Sequence, residues 1–211
     1  MRQRSVKNLE EKLELNSSFL IRDPRDVKGK WEEVFGNNNP IYLEIGCGKG
    51  QFIFTHASKN PDKNYIAIEG QENVALRALE KAEQGGLQNL RIFIDFVNDI
   101  KDYFEEGELS GVYLNFSDPW PKARHAKRRL TYHKRLANYK EIIGKDGCIE
   151  FKTDNDALFE FSLEEIALGE FEVLEVTRDL HNSDYKSKEI TTEYEDKFRN
   201  GGKNINYVKI R

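Results

Sequence analysis

Three stretches of the 211-residue chain carry residue types whose spacing can do chemistry. The first is Glu44-Ile45-Gly46-Cys47-Gly48-Lys49-Gly50, where alternating glycines let the backbone turn tightly and approach a ligand that a Cβ would push away. Glu69 follows Gly50 by nineteen residues, where an acid closing the next strand reaches both hydroxyls of a ribose. A dinucleotide fingerprint would have its third glycine at Gln51, and a phosphate-cradling loop needs Gly-Lys followed by Ser or Thr. Neither phosphate motif is matched, and Glu44 beside the loop would repel a pyrophosphate and attract a cation. The pattern therefore describes a nucleoside site. The second stretch is Asp118-Pro119-Trp120-Pro121, a carboxylate on a turn whose φ angles two prolines hold. The third runs from Lys122 to Arg135 with seven basic residues, His125, His133 and no acid, which suits either a polyanion contact or a solvated face.

These residues need elements to position them. Short apolar runs at 41–45, 65–68, 90–94, 112–116 and 148–151 read as buried strands, and 71–84, 130–143 and 156–168 as helices. A further helical segment opens after Gly50, and late strands are expected at 171–176 and 205–210. Strand-helix alternation of this kind implies an α/β fold with a parallel, doubly wound sheet whose ligands sit at the carboxyl ends of the strands. Both the glycine loop and Asp118 follow a strand directly, so they face one crevice. Residues 1–30 are polar, mixed in charge and broken at Asp23-Pro24, and read as a basic arm with one short helix; 31–211 form the domain.

Composition bounds the remaining classes. The mean hydropathy is −0.74, and no stretch approaches the roughly 20 apolar residues of a membrane span. No apolar run follows Arg2, Arg4 and Lys7, so no secretory signal is read. Cys47 and Cys148 stand far apart without a Cys-x-x-Cys pair, which points to a reducing, cytoplasmic setting and no metal module. Of 33 Lys and Arg, seven lie within 122–135, leaving 26 to face all 37 Asp and Glu elsewhere. The net charge of −4 therefore hides a basic patch on an acidic body.

Glu-x-Gly-x-Gly-x-Gly resembles the first motif of class I methyltransferases, which use S-adenosylmethionine, a phosphate-free nucleoside with a cationic amine and sulfonium. Residues 118–130, Asp-Pro-Trp-Pro-Lys-Ala-Arg-His-Ala-Lys-Arg-Arg-Leu, resemble the signature of the tRNA (guanine-N7)-methyltransferase family. Phe151-Lys152-Thr153-Asp154-Asn155, the carboxyl-terminal Thr192-Glu193-Tyr194-Glu195-Asp196-Lys197-Phe198 with Gly202 and Ile205, and Arg2-Gln3-Arg4 with Val6 to Leu9 resemble further motifs of that family. The likeness spans nearly the whole chain. It implies a mostly parallel seven-stranded sheet and methyl transfer to N7 of a guanine in the variable loop of tRNA, at position 46, by a monomer or homodimer without a metal.

The resemblance also assigns roles. Glu44, Gly46, Gly48, Glu69 and Asp118 would hold the cofactor, Asp118 acting as the catalytic carboxylate beside the charge that develops on the purine. Where the family places an acid or amide and a small residue to meet the adenine, this chain has Phe96-Val97, with Asp95 one position early. Asp95, Asn98 or the Phe96 ring is then left to make that contact. Lys122, Arg124, Lys127, Arg128 and Arg129 would meet phosphates. Asp154 would accept from the N1–H and N2–H of guanine, and Thr192, Tyr194 and Glu195 would contact the substrate. Two other readings remain: an amino-methyltransferase, which needs proline where this chain has Trp120, and an RNA-binding protein on a methyltransferase fold that no longer catalyses.

Overall fold

The computed structural model describes residues 6–211. Its strands are β1 (Ile41–Ile45), β2 (Asn64–Glu69), β3 (Leu90–Ile94), β4 (Leu109–Asn115), β5 (Ile143–Thr153), β6 (Val173–Thr177) and β7 (Asn206–Ile210). They form one sheet in the order β3-β2-β1-β4-β5-β7-β6. Neighbours among β1 to β5 pair in parallel, and β7 enters antiparallel between β5 and β6. The chain reverses its direction of sheet growth between β1 and β4, and this switch point opens a crevice at the carboxyl ends of those strands.

Alternation along the strands feeds two apolar layers. Ile66 and Ile68 of β2 and Phe93 of β3 join the layer with Trp31, Leu136 of α5 (His133–Ile142) and Phe159 of α6 (Asp156–Leu168). Tyr65, Ala67, Leu90 and Ile92 point the other way, onto α3 (Gln51–Lys59) and α4 (Glu72–Gly85). On α4 the stripe Ala75, Ala78, Leu79 and Ala82 recurs at helical spacing and is buried. Trp31 opens the short helix α2 (Trp31–Phe35) and stacks on Phe104 and Phe93.

The described part of the amino-terminal segment lies against the sheet. Its short helix, α1 (Leu9–Leu15), packs on α4, and Leu13, Phe19 and Leu20 are buried in the second layer. Ile92 N–H donates to the Phe19 carbonyl and Ile21 N–H to the Ile92 carbonyl, each at 2.8 Å, so the segment pairs with the outer edge of β3. Arg2 and Arg4 lie outside the described residues.

Among the boundaries that differ from those expected, three have a local reason. β4 stops at Asn115 because Phe116 turns to φ 50°, outside the extended range. The helix expected from Leu130 begins at His133, since Tyr132 is still extended at φ −63°, ψ 134°. β5 starts five residues early at Ile143 and runs through Gly144 to Gly147, with a register shift against β4.

Candidate functional site

The glycine loop bridges β1 and α3. Gly46, Gly48 and Gly50 adopt φ of 80°, 59° and 80°, a left-handed succession that bulkier residues resist. At Gly50 a Cβ would also stand 2.8 Å from the Cβ of Ala78, so glycine is what lets the loop lie on α4. Glu69, at the end of β2, accepts from Gly48 N–H at 3.0 Å and from Gln71 N–H at 2.9 Å. Burial pushes its pKa above the usual carboxylate range, and Asp118 lies near enough to add to the rise.

Beneath the loop, Glu44 is only 1 % exposed. Its Oε1 accepts from Asn115 Nδ2 at 2.9 Å, while Oε2 has no hydrogen-bond partner among the described residues. Burial, followed by the Glu193 carboxylate, outweighs the Asn115 hydrogen bond and the Lys152 ammonium, and pushes the Glu44 pKa up to about 7. Glu44, Gly46, Gly48, Lys49, Phe116 and Tyr194 line a cavity of about 360 Å³ together with Thr192, Glu193 and Lys197. A buried carboxylate with one oxygen lacking a donor, on a residue that lines a cavity beside a loop that admits close approach, fits the cationic amine of S-adenosylmethionine.

The second wall follows β4. Phe116 and Trp120 both hold positive φ, 50° and 40°, so the turn around Asp118 is kept in a conformation aromatic residues rarely adopt. Arg129 is the staple: its Nε donates to the Pro119 carbonyl and an Nη to the Trp120 carbonyl, both at 3.0 Å, with the guanidinium 4.1 Å from the Phe161 ring centroid. Arg128 lies 4.8 Å over the Trp120 ring, and His125 meets that ring edge-on. Asp118 is exposed and makes no hydrogen bond or ion pair among the described residues.

The basic run thus divides. Lys122, Arg124, Lys127 and Arg128 are exposed, whereas Arg129 turns inward and Arg135 donates to the Val97 carbonyl at 3.1 Å. For Arg129 the expected phosphate contact gives way to support of the Asp118 turn, because two of its donors are taken by backbone carbonyls.

The third wall comes from the carboxyl-terminal motif. Thr192 caps α7 (Glu193–Asn200), its Oγ1 accepting from Glu195 N–H at 2.9 Å. Tyr194 is 46 % exposed, with its ring against Phe198 and Phe116. Asp154 is half-buried after β5, and its charge contributes to a raised Tyr194 pKa whose main cause is burial.

Glu195 departs from the expected substrate contact. Its side chain is wholly buried, 3.5 Å from the Lys152 ammonium and with Oε1 3.1 Å from His181 Nε2, so no part of it faces a ligand. Lys152, itself 1 % exposed, also donates to the Ser187 and Ile190 carbonyls. Burial pulls the Lys152 pKa down and pushes that of Glu195 up. Nothing in the sequence reading gave Lys152 a role; its place beside Asp154 in a recognisable motif was the available signal.

At the third strand, Asp95 is engaged elsewhere. Its Oδ2 accepts from Tyr103 OH at 2.7 Å and from Arg25 at 3.1 Å. Phe96 is 69 % exposed, and its ring lies so close over Gly70 that a Cβ there would collide with it. Phe96, rather than Asp95, therefore flanks the end of β2 where Glu69 stands.

Residues 38–208 match a family model described as "Putative methyltransferase". The chain is 47 % identical to a tRNA (guanine-N(7)-)-methyltransferase of Streptococcus agalactiae over 211 residues, all of both chains. A protein of the same name from Clostridioides difficile is 50 % identical over 97 % of this chain and 96 % of its own length. The chain belongs to the tRNA (guanine-N7)-methyltransferase family. Solved structures agree on the fold. An antibiotic-related methyltransferase superposes with a TM-score of 0.64 at 16 % identity, over 86 % of this chain and 92 % of its own. A SAM-dependent methyltransferase from Aquifex aeolicus does so with 0.55 at 15 %, over 97 % and 98 %. In this chain the glycine loop, Glu69 and the Asp118 turn lie at the carboxyl ends of β1, β2 and β4. No helix among the described residues is long and apolar enough to cross a membrane, and no cluster of three or more metal-ligating side chains occurs among them.

Proposed function

We propose that this protein transfers the methyl group of S-adenosylmethionine to N7 of a guanine in tRNA, with position 46 of the variable loop as the target. The observation that carries the reading is full-length likeness to tRNA (guanine-N(7)-)-methyltransferases, joined to a buried, unpartnered Glu44 oxygen at the glycine loop. S-adenosylmethionine supplies an electrophilic methyl on a sulfonium. Glu44 and the loop at Gly46 and Gly48 receive its amino-acid end, Glu69 takes the ribose hydroxyls, and the Phe96 ring packs on the adenine.

Guanine N7 carries an in-plane lone pair and no proton, so the protein needs no general base. Its residues have to align the attacking nitrogen with the methyl, and orientation alone can contribute about 7 to 11 kcal/mol where the geometry is tight. Asp154 reads the Watson–Crick edge by accepting from N1–H and N2–H, a donor pair that adenine lacks. Asp118, held by the Arg129 staple, stabilises the positive charge that grows on the purine. Thr192 and Tyr194 border the base, and Lys122, Arg124, Lys127 and Arg128 hold the tRNA backbone. The setting is cytoplasmic, where tRNA and the cofactor meet.

Incubation with unmodified tRNA and labelled S-adenosylmethionine, followed by aniline cleavage, tests the reading. Label in tRNA with a single cleavage in the variable loop is expected. Label that resists aniline would favour an amino-methyltransferase, and no label would favour a binding protein.

A further inference from the structure

Gln51 stands directly after Gly50 and opens α3. Its side-chain Nε2 donates to two acceptors far along the chain, the Thr191 carbonyl at 3.2 Å and Asp196 Oδ2 at 2.7 Å. Thr191 and Asp196 flank Thr192, Glu193 and Tyr194, which line the cavity together with residues of the glycine loop. A neutral amide suits the position, since it offers donors to two oxygens and brings no charge to the loop. Hydrogen bonds from Thr191 and from Gln51 hold the Asp196 carboxyl below its usual range, so the acceptor is an ionised one.

Two other ties hold the same segment. Lys81 of α4 pairs with Glu193 at 2.9 Å, and Lys152 of β5 donates to the Ile190 carbonyl at 2.9 Å. Both start from the interior of a helix or a strand. Gln51 alone of the three starts at the exit of the left-handed glycine succession, whose order is entropically costly to hold.

We infer that Gln51 is a positioning residue that couples the two walls of the cavity, so that ordering of the glycine loop by cofactor and ordering of the 191–196 segment by guanine favour each other. This rests on the functional reading above. A ligand that orders one wall lowers the ordering cost of the other through the Gln51 bridge, and linkage requires the effect to be mutual. Gln51 touches neither methyl donor nor base in this scheme; it acts through Thr191 and Asp196.

The test uses S-adenosylhomocysteine as a non-reacting probe and unmodified tRNA transcript, with calorimetry for each ligand alone and in the presence of the other. In the parent protein, tRNA should tighten S-adenosylhomocysteine at least about fivefold, and the reverse effect should be equal. Gln51→Ala should bring both factors to within about twofold of one while thermal unfolding shows a folded protein. Gln51→Glu, which sets a carboxylate against Asp196, should do at least as much. Should Gln51→Ala fail to fold, Asp196→Ala removes the same bridge from its other end and carries the same expectation. In the Gln51→Ala/Asp196→Ala double variant the factor should be no lower than in either single one. Independent binding in the parent, or parental coupling kept in Gln51→Ala, overturns the inference. A parent that methylates N7 yet binds the two ligands independently refutes the coupling alone, whereas a parent that makes no N7-methylguanosine refutes the functional reading beneath it.

Discussion

Replacing Glu44 by glutamine should make the protein more stable above neutrality and worse at holding its cofactor. Glu44 is buried at the edge of the cavity, with one oxygen on Asn115 and the other without a donor among the described residues. Burial raises its pKa from 4.5 to about 7, so the fold favours the protonated carboxyl. The contribution is fully present below the unfolded-state value of 4.5 and is lost as pH climbs through about 7. At about 1.4 kcal/mol per tenfold change in proton affinity, the gap corresponds to about 3 kcal/mol of instability at pH 8. Glu44→Gln keeps the acceptor for Asn115 and cannot ionise. It should therefore match the parent at about pH 3.5, below the unfolded-state value, and melt about 6 to 12 °C higher at pH 8, the shift about 3 kcal/mol gives in a chain of this size. S-adenosylmethionine should reverse the ranking, because its amine pairs with the ionised form. Between pH 5.5 and 7 the parent's affinity should rise with pH and its binding should release a proton, visible as a buffer-dependent calorimetric enthalpy. Both features should vanish in Glu44→Gln. A variant less stable than the parent at pH 8, or a parent whose affinity is flat through that window, would refute the assignment.

The remaining expectations follow from how the other charges are placed. Arg124→Ala should flatten the slope of log K against log salt for tRNA binding by about 0.7 to 0.9, while Arg129→Ala should keep the slope and lose turnover instead. Equal slope losses would make Arg129 a phosphate contact after all. Asp154→Asn sets an amide donor against a guanine donor, so single-turnover methyl transfer should fall about ten- to a hundredfold at unchanged S-adenosylmethionine affinity. An undiminished rate removes Asp154 from base reading. Glu195→Ala leaves Lys152 buried without its counter-ion, and chemical denaturation should show a loss of about 3 to 5 kcal/mol. A loss under about 1 kcal/mol would mean that water or another group already satisfies the lysine.

What the sequence makes legible here is whatever one strand and its following turn contain. Glu44 to Gly50 and Asn115 to Pro121 each follow an apolar run, and a doubly wound sheet brings the carboxyl ends of such runs together without further information. Side-chain direction in β5 is harder to read. Ile149 and Phe151 alternate with Cys148, Glu150 and Lys152, a pattern that normally gives the second set to solvent. Lys152 is buried instead, because the segment carrying Ser187, Ile190 and Glu195 folds back over it from some 40 positions away. No local pattern announces such a contact. Phe116 and Trp120 fail for the opposite reason: a left-handed aromatic residue contradicts local preference, and only the Arg129 carbonyl contacts and the surrounding packing hold the turn.

The basic run shows what this means for function. As a string it is seven cations of one kind, and composition counts them alike. In the fold, Arg129 grips two carbonyls of the very turn that presents Asp118, and Arg135 grips the carbonyl of Val97. Lys122, Arg124, Lys127 and Arg128, just before the first of those anchors, stay exposed. An electrostatic surface that meets a flexible polyanion orients it only if the surface is itself fixed to the reacting group. Here the same dozen residues supply both the exposed charges and the staple, so in the proposed function the tRNA backbone and the Asp118 carboxylate are referred to one stapled turn. Under the proposed function, that shared anchoring gives a physical reason for a motif so long: shortening it would separate the charges proposed to hold the tRNA from the carboxylate proposed to act at the methyl transfer.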